Sequence, residues 1–166
     1  RTVGPPPALR RGWYPTTPEW LRVLGAIAAL KLGLGMLGFA LGAPLEGTRA
    51  ARDVIYLAHV LVFAICATGL ALGGREDRRA RRLALYFLLI SSEFADRLLL
   101  RLTVPFPAAA DALLVLGHTQ VEAFLPYVLW LFVRDFPRVP ATRWGRRLPR
   151  AVLRISFAAG VVLLLL

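Results

Sequence analysis

Residues 111–137 read DALLVLGHTQVEAFLPYVLWLFVRDFP, and the fold class turns on this stretch. About 20 residues of helix cross a hydrocarbon core ~30 Å thick, so the stretch is long and apolar enough to span a bilayer. Its first half nevertheless carries His118, Thr119, Gln120 and Glu122. Polar groups are costly in lipid, which requires these side chains to face protein, water or a ligand. From Phe124 to Phe132 aromatic and aliphatic residues dominate. Pro137 cannot continue a helix, and Arg134 is placed to reach the headgroups. One half of this span has a functional character and the other is an anchor.

Composition extends that reading outward. Hydrophobic residues make up 57% of the 166, mean hydropathy is +0.60, and apolar runs recur along the whole chain. The net charge of +11 would point to nucleic acid in a soluble protein. Here the basic residues lie between apolar spans, where they serve lipid phosphate and membrane orientation, so no nucleic-acid partner is expected. A single cysteine, Cys66, excludes an intrachain disulfide and a cysteine-based metal site. The chain starts without Met and ends in VVLLLL, which leads us to expect a piece of a longer protein.

Taken in order, residues 1–19 are rich in Pro, Gly and Arg and are expected to be irregular and cytoplasmic. Thr17 as N-cap, Pro18 at the first helical position and Glu19 beside the dipole start a helix. A transmembrane helical domain then fills 20–166, with spans near 20–43, 53–73, 83–104, 111–134 and a truncated fifth at 151–166. The fold class is an all-α polytopic bundle. A soluble bundle would show polar outer stripes, which spans one, two and four lack. Gly25, Ala29 and Gly33 recur every four residues, and Gly38/Gly42 and Gly69/Gly73 are GxxxG pairs. Small residues at that spacing let helices pack closely.

Arginines set the orientation. Arg75, Arg78, Arg79, Arg81 and Arg82 lie between spans two and three, and Arg138, Arg143, Arg146, Arg147 and Arg150 between four and five. The other two links are poorer in positive charge, so the positive-inside rule places the N-terminus and both Arg-rich links in the cytoplasm. Trp13, Trp20, Trp130 and Trp144 fit an interfacial belt.

Counting along the helices at ~1.5 Å per residue converts position to depth. Lys31, Glu93 and Glu122 each lie eleven residues past Trp20, Arg82 and Asp111 and so fall near the midplane. With Asp96 and Arg97 they form an expected intramembrane polar cluster, in which Lys31 approaches Glu93 or Glu122; its role is a proton relay, a sensing cavity or helix-to-helix glue. Glu93 and Arg97 are one turn apart and can pair locally. His59 and His118 both fall ~10 Å inside the outer boundary. Two histidines at one depth could hold haem or a bacteriochlorophyll-type magnesium; hydrogen bonding to a neighbouring helix is the simpler role. His118 and Glu122 also share a helix turn, but no second such pair exists to complete a metal site.

No nucleophile elbow, phosphate loop or zinc motif occurs, which argues against an enzyme. The segment Glu122–Arg138 ends a helix in F-x-x-x-F-P plus a basic residue, and an Arg-rich link, Gly73 to Arg79, precedes it. This pattern resembles the multi-helix N-terminal membrane region of certain bacterial histidine kinases and serine phosphatases. The resemblance implies a sensor or anchor in the bacterial inner membrane, carrying a cytoplasmic output module. The alternatives are an accessory subunit of a photosynthetic or respiratory complex, docking to other membrane helices, and a pigment- or haem-binding subunit.

Overall fold

The computed structural model describes residues 19–42, 48–134 and 143–165, which are helical apart from short connections and contain no strand. The Thr17 cap, the N-terminal segment, Trp13 and the 135–142 link lie outside the described residues, as does the Trp144 side chain. Six helices follow in order: α1 (Glu19–Leu41), α2 (Thr48–Gly73), α3 (Arg78–Leu99), α4 (Ala110–His118), α5 (Leu125–Arg134) and α6 (Arg143–Leu165). Three stretches, Glu19–Leu41, Ala50–Gly73 and Pro107–Arg134, are long and apolar enough to cross a membrane, which supports an integral membrane protein. Among the described residues α3 and α6 do not reach that measure, and α3 carries seven charged side chains.

The most polar long helix is also the centre of the bundle. α3 packs against α1, α2 and α5 together, so part of its surface never meets the surroundings and polar side chains there find protein partners. It starts sharply because Asp77 caps it, accepting from the Arg79 amide at 2.8 Å. Contacts fix its neighbours' directions. Gly25 meets Leu85, Gly35 meets Ala95 and Gly38 meets Leu98, a constant offset that makes α1 parallel to α3. The Ser91 hydroxyl donates to the Val60 carbonyl at 3.0 Å, and Phe63 stacks on Phe87, so α2 runs antiparallel to α3. α5 also runs antiparallel, with Arg82 Nη1 donating to the Leu131 carbonyl at 2.6 Å. That carbonyl belongs to the last turn of α5, which has no helical donor of its own.

α6 returns along α5 and is held by aromatic packing. The Trp20 ring lies 5.7 Å from Phe124, 5.2 Å from Tyr127 and 5.3 Å from Phe157, tying α1, α5 and α6. Trp20 is partly buried and packs against this aromatic cluster at the start of α1. Large apolar residues such as Val54, Ile65 and Leu72 on α2 are exposed, as a lipid-facing surface requires.

The glycine expectations hold in part. Gly25, Gly38 and Gly42 sit at close approaches, but Gly33, Gly69 and Gly73 have nothing within 4 Å of a notional Cβ. Ala29 is likewise exposed. The buried face of α1 is Leu21, Leu24, Ala28, Lys31, Gly35 and Gly38, one helical stripe with Lys31 on it.

Candidate functional site

The expected fourth span is one apolar stretch but two helices. α4 ends at His118, Thr119 is extended, Gln120 is neither helical nor extended, and a 3₁₀ turn over Val121–Phe124 leads into α5. Pro126 accounts for the interruption. It sits in the first turn of α5, where its ring forbids an α-helical carbonyl four residues earlier, at Glu122. Thr119 and Gln120 leave the helix, and the Thr119 carbonyl, which accepts from the Val121 amide at 2.9 Å, turns its second lone pair to another donor.

Lys31 fills that opening. Its ammonium is completely buried and makes three contacts: the Thr119 carbonyl at 2.9 Å, Glu122 Oε1 at 2.7 Å and Asp96 Oδ2 at 2.9 Å. Three N–H donors meet three oxygens, so the group is fully satisfied. Glu122, 7% exposed, also takes a hydrogen bond from the Ser92 hydroxyl at 2.7 Å. The same hydroxyl lies 2.8 Å from the Leu89 carbonyl, and its one proton is divided between the two acceptors. Asp96 Oδ1 is buried without a hydrogen-bond partner. One ammonium thus meets two carboxylates drawn from three chain segments. Chemically the cluster holds α1, α3 and the α4–α5 break in register. With both acids ionised it also carries an uncompensated negative charge, available to a proton or a small cation.

The structure therefore joins Lys31 to Glu122 and brings in Asp96, while Glu93 is exposed at the edge, close enough for its charge to be felt by Lys31 and Glu122. Arg97 does not join the cluster. Its Nε lies 3.5 Å from Asp53 Oδ1 on α2, in place of the expected local pair with Glu93, and its guanidinium sits 5.3 Å from the Tyr56 ring. Arg101 Nη1 approaches the same carboxylate at 3.4 Å, so Asp53, 3% exposed, clasps α2 to the end of α3.

His59 and His118 are exposed. Each directs Nδ1 at the carbonyl one turn back, Ile55 and Leu114 respectively, at 2.7 Å. His59 also stacks on Phe94 with ring centroids 4.7 Å apart. No hydrogen bond, ion pair or ring contact joins the two histidines among the described residues. Ser92 and the Thr119 carbonyl are the functional groups that sequence reasoning missed. Pro126 signalled the second; nothing in the sequence separates Ser92 from Ser91. Comparison with protein-family models, curated proteins and solved structures gives no match.

Proposed function

We propose that this chain is a non-catalytic sensing or anchoring domain of a bacterial signalling protein, crossing the inner membrane five times with its N-terminus in the cytoplasm. The observation that carries the reading is the Lys31–Asp96–Glu122 cluster, which locks three segments around a helix break at one depth. Such a junction makes the relative placement of the helices depend on a few charges, which is what a membrane domain needs if it is to pass a change at its core to a module outside. The alternating direction of the five traverses and the two Arg-rich links support the orientation.

The deciding experiment is the activity of the complete gene product in proteoliposomes. ATP-dependent autophosphorylation or phosphoprotein hydrolysis is expected; stable purification inside an electron-transfer complex, with neither activity, overturns the reading. That second outcome belongs to an accessory subunit, for which the unpacked Gly69 and Gly73 offer a docking face. Orientation has its own test. Cysteines placed at Arg79 and Arg146 are expected to react with impermeant thiol reagents only from the cytoplasmic side. Labelling of either from outside reverses the topology.

A further inference from the structure

α1 and α2 both pack on α3 but scarcely touch each other, and an apolar groove of roughly 340 Å³ opens between them. It exists because its walls are small: Gly25 on α1, Ala67 and Ala71 on α2, and Ala84 on α3, over a floor that includes Leu85. The parallel offset of α1 and α3 puts Arg22 and Arg81 at the same end, and both line the groove. Both are exposed, and neither has an ion-pair partner among the described residues. This end is the one that carries the Arg-rich link after α2.

We propose that the groove is a binding site for an anionic phospholipid, with an acyl chain along the small-residue walls and the phosphate between Arg22 and Arg81. Charge chooses the occupant. An apolar partner helix filling the groove would bury two guanidinium groups without counter-charges, leaving their desolvation uncompensated. A phosphate gives both groups charge-assisted, bidentate acceptors at the headgroup level, where long basic side chains reach from a helix end. Basic pockets between helices on the cytoplasmic side select acidic headgroups for this reason. The proposal rests on the membrane placement of the bundle and not on its signalling role.

The test is native mass spectrometry of the detergent-purified chain offered phosphatidylglycerol and phosphatidylcholine with identical acyl chains. The wild type is expected to retain phosphatidylglycerol preferentially. Arg22→Gln and Arg81→Gln should each lower that preference about fivefold. Ala71→Leu, which fills the groove and leaves both arginines in place, should reduce retention of both lipids. Arg75→Gln, a charge loss in the link outside the groove, should change nothing. Equal retention of the two lipids, unaltered binding in Ala71→Leu, or an equal loss in Arg75→Gln would each overturn the site. Arg22→Lys and Arg81→Lys stand in for any glutamine variant that does not fold, with a smaller loss expected because an ammonium cannot bind bidentately. Extraction of the chain from cells without detergent would instead refute the membrane placement itself.

Discussion

Lys31→Met is expected to lower the free energy of unfolding by about 3–5 kcal/mol, because it removes the ammonium that pairs with both acids in a buried site and leaves two carboxylates facing each other. The geometry makes the loss threefold: the Lys31 ammonium is the partner of Glu122 at 2.7 Å, of Asp96 at 2.9 Å and of the Thr119 carbonyl at 2.9 Å. A methionine of similar shape keeps the packing, so the loss reports charge and hydrogen bonding. The ion cluster as a whole is a different quantity. Taking two acids and an ammonium out of water is itself costly, and replacing all three by neutral groups of similar volume recovers much of what the single change loses. Lys31→Met/Asp96→Asn/Glu122→Gln is therefore expected to be more stable than Lys31→Met alone. Glu122→Gln by itself should cost less, since the amide oxygen still accepts from Ser92 and Lys31 keeps Asp96. Equilibrium unfolding in bicelles across this set gives the coupling directly. A triple variant no more stable than Lys31→Met would remove the electrostatic explanation.

Depth was legible in the sequence; azimuth was not. Counting residues from span boundaries put Lys31 and Glu122 in one layer, and the folded chain joins them. The same count put Glu93 in that layer, but a helix presents one side of each layer to a given neighbour. On α3 Ser92 and Asp96 turn inward, one helical turn apart, while Glu93 turns out. α3 is amphipathic, but its buried face mixes Arg82, Ser91 and Ser92 with Leu89, Leu98 and Leu99, so polarity did not tell which of its polar residues turn inward. On α1 the phase was recoverable. Lys31 is the one charge in the middle of that helix and has to point inward, and its helical neighbours Leu24, Ala28, Gly35 and Gly38 share the side it chooses. Of the small-residue repeat, Gly25 meets Leu85 on α3, whereas Ala29 and Gly33 lie off the side that Lys31 marks and face outward. The helix break was legible too, through Pro126, but the apolar length of residues 111–134 concealed it.

That distinction between faces gives the second large effect. Gly38→Leu is expected to cost about 3 kcal/mol, the upper part of the range for overpacking a tight contact. A Cβ built at Gly38 collides with the Leu98 carbonyl and comes within 3.4 Å of Leu102 Cγ, and backbone cannot yield as a side-chain tip can. α1 would have to move off α3. Lys31 lies two turns earlier on the same stripe, so the displacement would also lengthen its bond to Asp96 on α3. Overpacking at Gly38 and loss of Lys31 should then combine less than additively, because each already weakens the same α1–α3 contact. Gly33→Leu is the matched control: the same residue change on the same helix, with nothing within 4 Å of the added carbon. It should stay within about 0.5 kcal/mol of the wild type, as surface substitutions do. Equal losses at Gly33 and Gly38 would mean that α1 is rotated from the orientation described, and the Lys31 cluster would have to be rebuilt with it.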